Sequence, residues 1–291
     1  MFIQVLLNSL ISGIIYFLIA SGFSIIYSTN RFIYFTHGAV VTLAAYLFYQ
    51  FFQIWNFNLF FSFLLVLAIT TTLGYLINII FFQPLRSKKS SSTILLLVSI
   101  AVMVLVESVI LLNFGAKPID LNLSNNLTLE IFDARISLQQ IGILVTTTLV
   151  FISLSLFIKL SRTGKALRAV ADNSELAEII GISKSRIYSI SFIIGSLLVA
   201  IAGIAVGLEF TLQTRLAGNL MVKGFTGAVV GGLGSVPGAF VGSILLGLAE
   251  NVGIWFLPSG FKDAIAFVIL FLILLFRPQG LWSKTKLLKN A

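Results

Sequence analysis

Residues 221–238 read MVKGFTGAVVGGLGSVPG, and whether they cross a membrane decides how the rest of the chain is folded. From here onward Gly224, Gly227, Gly231, Gly234, Gly238 and Gly242 recur at spacings of three and four. On one helix they would share a face, and a face of small residues lets helix backbones approach closely within lipid. Pro237 would break or kink such a helix. Regular spacing argues against a flexible glycine loop. Neither GxGxxG nor GxxxxGK occurs in the chain, so a glycine loop that cradles nucleotide phosphates is not encoded.

The setting of this stretch is a membrane protein. Of 291 residues 58% are hydrophobic and 10% charged, with 27 Phe and a mean hydropathy of +1.06, more apolar surface than a soluble core of this size buries. About 20 apolar residues cross the hydrocarbon of a bilayer. Blocks of that kind run over residues 3–27, 38–52, 59–82, 93–113, 138–160, 187–208, 240–257 and 261–276. They are continuous and lack period-two alternation, which predicts helices in preference to a β-barrel. The first block has no basic leader and no small-residue cleavage site, so it reads as a retained helix. Cysteine is absent, histidine occurs once and HExxH not at all; disulfides, thiolate chemistry and zinc hydrolysis are excluded together.

Charge then orients the blocks. The net charge of +9 is gathered in short segments: Arg86, Lys88 and Lys89; residues 159–186; and Arg277 with Lys284, Lys286 and Lys289. Such clusters mark the cytoplasmic side and not nucleic-acid binding. Residues 114–137 offset Lys117 and Arg135 with Asp120, Glu130 and Asp133, which suits an outside loop. If both blocks before Phe52 cross fully, counting back from Arg86 places the N-terminus outside; if residues 28–36 are instead a break within the membrane, that count lapses. Three apolar blocks between two cytoplasmic segments break parity, so one more crossing or a re-entrant excursion must lie between Glu209 and Val236. The expectation is an all-α polytopic membrane protein of eight or nine transmembrane helices, some broken, short or Gly-rich. Residues 1–291 form a single transmembrane domain.

Residues 162–186, RTGKALRAVADNSELAEIIGISKSR, carry eight charges and read as a pair of short cytoplasmic helices. Thr163 is placed to cap the first, and Asp172 with Glu175 to form an acidic capping box for the second, which ends at Gly181. Leu176, Ala177, Ile179 and Ile180 then make an apolar side. One reading lays it on lipid headgroups; the other docks it on a soluble partner. A weak repeat is also visible, FTHGAVV at 35–41 against SVPGAFV at 235–241, and FFQPLRSKK at 81–89 against LFRPQGLWSK at 275–284. Each unit would open on a broken helix, as in transporters built from repeated halves.

ELAEIIG at 175–181 resembles the EAA-xxx-G element with which ABC importer permeases engage their ATPase subunits, Leu176 departing from it. LIASGFSIIYSTNRFIYFTHGAVVTLAAYL, QPLRS, GKALRAVADNSELAEIIGISKSRIYSISFIIGSLLVAIAGI, MVKGFTGAVVGGLGSVPGAFVGSILLGLAE and the RPQGLW tail occur in the order of the LivH-type branched-chain amino acid ABC transporter permeases. The chain is similar to that family over nearly its whole length, with a departure near Tyr34 where the family usually has Asn. The resemblance implies a multi-pass permease of the cell inner membrane, without cofactor, metal or catalytic residues of its own. Its implied partners are a second, LivM-like permease, two ATP-binding subunits, an extracytoplasmic solute-binding protein and membrane lipid. Arg168, Glu175, Ala177 and Gly181 would couple to the ATPase. His37, Gly38, Gly227, Gly231, Gly234, Pro237 and Gly238 would serve helix packing or the pathway. Branched-chain amino acids are the implied cargo, with urea, short amides or another amino acid as alternatives.

A secondary transporter or channel is the rival class, and it needs intramembrane charges. Only Glu107, Glu250 and His37 come into question. Snorkelling or a partner amide accounts for the two acids, and His37 could cap the second segment. An intramembrane enzyme fares worse, since GxSxG is absent.

Overall fold

The computed structural model describes residues 2–121, 128–131 and 134–282; Asp133, Lys284, Lys286 and Lys289 lie outside them. The helices are α1 (Phe2–Asn30), α2 (Thr36–Tyr49), α3 (Leu59–Ile77), α4 (Gln83–Ser87), α5 (Ser92–Phe114) and α6 (Leu138–Leu160). They continue as α7 (Arg162–Asp172), α8 (Ser174–Ile179), α9 (Lys184–Glu209), α10 (Leu216–Gly231), α11 (Val236–Gly253) and α12 (Lys262–Phe276). Wider π turns at Gln50–Ile54 and Asn78–Phe82 extend α2 and join α3 to α4. A hairpin of β1 (Thr128–Ile131) and β2 (Ala134–Ser137), which the hydropathy pattern does not show, follows α5. Helix starts are set by side chains that accept the free amides of a first turn: Asn58 for α3, Ser91 for α5 and Ser235 for α11. Ser137 and Gln140 form a reciprocal capping box on α6.

Six helices among the described residues are long and apolar enough to cross a membrane: α1, α3 continued to Ser87, α5, α6, α9 and α11. α2, α10 and α12 are shorter. At 1.5 Å per residue the 16 residues of α10 reach roughly 24 Å, less than the hydrocarbon is thick.

The interior is built on small residues. α1 is buried through most of its length and packs between α9, α10 and α11. Gly13 lies on Ile244 of α11, Gly22 on Gly195 of α9, and Gly203 of α9 on the Val41 carbonyl of α2. Close backbone approach of this kind maximises dispersion where lipid is as apolar as the side chains. These contacts run α1 antiparallel to α9 and α11. The bundle thus acquires two ends. At one, Gln4 donates to the Arg135 carbonyl at 3.1 Å, and Ile119 pairs with Leu212 in a short antiparallel bridge. At the other, Arg31 donates to the Ala171 carbonyl and so ties α1 to α7. They are called the hairpin end and the α7 end below.

The glycine stretch corrects the expectation of one helical face. Residues 232–235 are a turn between α10 and α11, in which Gly232 and Gly234 take φ of 101° and 86°, a region where a side chain is strained. The glycines face each other across the resulting helical hairpin. A Cβ on Gly231 would fall on the Gly238 carbonyl, and one on Gly242 on the Gly227 carbonyl. Pro237 kinks nothing: it occupies the first turn of α11, where its missing amide would have had no partner in any case. Beyond α12 the chain returns to this hairpin, Leu281 N–H donating to the Val230 carbonyl at 2.8 Å and Trp282 N–H to that of Gly231 at 3.1 Å.

Candidate functional site

The α7–α8 pair stands at the α7 end, framed by caps other than those the sequence suggests. Ser161, not Thr163, caps α7 through its Oγ, which accepts Gly164 N–H at 2.8 Å. Asn173, not Asp172, caps α8 by accepting the amides of Glu175 at 3.0 Å and Leu176 at 3.1 Å. Glu175 remains in the first turn, exposed, where a carboxylate favours the positive end of the helix dipole. α8 ends on Gly181 at φ 87°, whose N–H donates to the Glu178 carbonyl at 2.9 Å while Ile182 N–H reaches that of Ala177 at 2.9 Å. The left-handed terminus is the one glycine favours.

The apolar side foreseen on α8 is divided. Ala177 turns inward and joins Leu167, Val170 and Ile187 in a small core that fastens both helices to α9. Leu176, Ile179 and Ile180 turn outward with 59%, 79% and 73% of their surface exposed. Lys184 holds Glu178 at 2.7 Å beside them. Arg168 is exposed on α7, its Nη2 3.4 Å from the Lys159 carbonyl. Of the coupling residues read from sequence, Arg168, Glu175 and Gly181 are therefore on the surface, and Ala177 is the anchor beneath them.

The break between α1 and α2 is a second candidate. Residues 31–35 turn back into the bundle, with Phe32 and Tyr34 buried. Their freed backbone groups, costly in hydrocarbon, are met by Ser99 of α5. Its Oγ accepts Phe35 N–H at 3.0 Å, and its carbonyl accepts the Thr36 hydroxyl at 2.7 Å. His37 does not cap α2. Fully buried, its Nε2 lies 3.1 Å from the Ile19 carbonyl, which only accepts, so that nitrogen carries the proton. Gly38 rests on the Ala217 carbonyl of α10. These residues pack α2 against α1 and α10. Gly227, Gly231, Gly234, Pro237 and Gly238 are gathered in the α10–α11 hairpin instead.

Two polar groups were not foreseen. Arg86 donates to Asn30 and Asn78 and lies 4.9 Å from the centre of the Tyr188 ring, knitting α1, α4 and α9 together near α7. In the other group Lys223 of α10 lies 3.0 Å from Asp263 of α12 and 3.4 Å from Glu250 of α11. Tyr16 of α1 donates to the same Glu250 at 2.7 Å. Glu250 is thus held by an ammonium and a phenol, where sequence suggested snorkelling or an amide.

Comparison with known proteins now bears on the arrangement. The family described as branched-chain amino acid transport system / permease component matches residues 5–274. The high-affinity branched-chain amino acid transport system permease protein LivH of Salmonella typhimurium is 31% identical, over 99% of this chain and 97% of its own length. BraD, named likewise in Pseudomonas aeruginosa, is 32% identical over 99% and 98%. A probable LivH of Methanocaldococcus jannaschii is 26% identical over 94% and 91%. Among solved structures, PsaBC from Streptococcus pneumoniae in complex with Fab shares the fold at a TM-score of 0.50 and 13% identity, over 94% of this chain and 91% of that one.

Proposed function

We propose, from the premise that the chain belongs to the branched-chain amino acid transport system permease family, that it carries branched-chain amino acids across the cell inner membrane as the permease subunit of an ABC importer. The whole chain, residues 1–291, acts as one transmembrane domain without an ATP site of its own. Two ATP-binding subunits, a second, LivM-like permease and an extracytoplasmic solute-binding protein complete the assembly. The hairpin end faces outside and the basic α7 end the cytoplasm. The relatives' names support the cargo.

The outward apolar triad on α8 carries this reading. A short helix with no long lipid-facing stretch, fixed by Asn173, Ala177 and Gly181, presents Leu176, Ile179 and Ile180 at the cytoplasmic end. That is a convex knob for a cleft on a soluble subunit. Movement of the ATP-binding subunits would pass from α8 through the Ala177 core to α9, and from α7 through Arg31 to α1. α1 contacts α9, α10 and α11, so a displacement there reaches much of the bundle.

Co-purification tests the docking. Gly181→Leu places a side chain at φ 87°, and Asn173→Ala removes a cap worth about 0.5–2 kcal/mol. Both variants are expected to reach the membrane, to recover several-fold less ATP-binding subunit and to lose substrate-stimulated ATP hydrolysis. Full recovery and stimulation in both would remove α8 from the coupling interface.

A further inference from the structure

At the hairpin end of α5 a cleft of about 450 Å³ opens between α5 and the segment that leads into α10. Glu107 is the only charged residue of α5, seven residues before its end, hence about 10 Å below it. Arg215 stands just before α10 and lines the same cleft. Ser108 and Thr214 add hydroxyls, Val104 and Leu111 apolar wall.

The two opposite charges do not close on each other. The ion pairs among the described residues are those of Glu130, Glu178, Glu250 and Asp263, and Glu107 is in none. A carboxylate on a helix long and apolar enough to cross the membrane and an exposed guanidinium share this cleft without meeting, which leaves the carboxylate's charge to be satisfied. A ligand carrying both complementary charges satisfies it. We infer that this cleft is a receiving site for an α-amino acid with an apolar side chain, Glu107 holding the ammonium and Arg215 the carboxylate. Arg presents a planar fork that matches a carboxylate through two hydrogen bonds, and Val104 and Leu111 offer the side chain an apolar surface. Urea and short amides bear neither charge, so the site favours an amino acid over them. Val104, Ser108 and Leu111 lie on an exposed face of α5, so the cleft opens away from the rest of the chain. This inference rests on the permease reading and narrows its cargo.

The test uses the complete importer in nanodiscs. A leucine analogue with a diazirine on its side chain is expected to label residues 104–118 or 213–215, in competition with leucine but not with leucinamide or 4-methylpentanoate, each of which lacks one charge. Glu107→Gln and Arg215→Gln are each expected to lower leucine uptake from saturating loaded binding protein by about tenfold, the weight of one charge-assisted hydrogen bond. Ser108→Trp, which fills the cleft and keeps both charges, is expected to block uptake and to serve where a charge variant fails to accumulate. Labelling elsewhere, equal competition by leucinamide, or wild-type uptake in all three variants overturns the assignment. A wild-type chain that recruits no ATP-binding subunit overturns the permease reading instead.

Discussion

At the scale of single residues, the firmest expectation concerns Lys223. It is the nearest cation to Glu250, which is fully buried. Removing one member of a buried pair leaves the other uncompensated and costs about 3–5 kcal/mol. Lys223→Met should therefore lower the Tm of the purified permease markedly. Adding Glu250→Gln should recover much of the loss, because Tyr16 can hydrogen-bond a neutral amide. A double variant no more stable than Lys223→Met would show that the pair is not coupled. Lys223 is silent in the sequence: its partners lie 27 and 40 positions away, and nothing local marks a lysine inside a glycine stretch as paired. Ser99 is silent for the same reason, since it serves the Phe35 amide and the Ile33 carbonyl more than 60 positions off. Asp172 and Thr163 misled because Asn173 and Ser161, one and two positions away, are cap-formers too, and spacing alone does not rank candidates that close. Gly181 was legible because a short helix ending on a lone glycine has one common geometry.

At the scale of elements, the α10–α11 hairpin separates packing from propensity. Gly231→Ala puts a methyl on the Gly238 carbonyl, and overpacking of that kind costs about 1–3 kcal/mol. Gly218→Ala, also in α10, has open space before it and should gain about 0.5–1 kcal/mol of helix propensity. Thermal unfolding and membrane accumulation should move in opposite directions for the two; a loss of equal size in both would dissolve the close-packing argument. The eight apolar blocks all appear as helices, because length and hydropathy together leave few other solutions in lipid. Parity calls for a further crossing or re-entrant excursion between Glu209 and Val236, and α10 lies there, yet the turn that follows it was missed. Glycines three or four apart make one stripe on a single helix, and glycines on either side of a turn make the same spacing when two helices fold face to face. Val230, which the single-stripe picture puts off the glycine face, is buried as well. Only the positive φ of Gly232 and Gly234 separates the two arrangements, and composition does not encode φ.

At the scale of the whole molecule, two ends and opposite charge balance make a sidedness prediction, and the absence of native cysteine makes it clean. Cysteine in place of exposed Glu130 on β1 should react with an impermeant thiol reagent in intact cells. Cysteine in place of Ser185, at the start of α9, should react only after permeabilisation. Reaction of the Ser185 position from outside would invert the topology and with it the docking side.

The return of the chain from α12 to α10 adds an order in time. The Val230 and Gly231 carbonyls wait for the amides of Leu281 and Trp282, which leave the ribosome some fifty residues later. Until then the end of α10 lacks its last partners, so the hairpin is latched only after α12 has been made. A chain stopped after Phe276 should insert yet be cleared by membrane proteases, while one stopped after Trp282 should persist. Pulse-chase of the two truncations reads the difference directly, and equal half-lives would mean that the latch does not guard the nascent bundle.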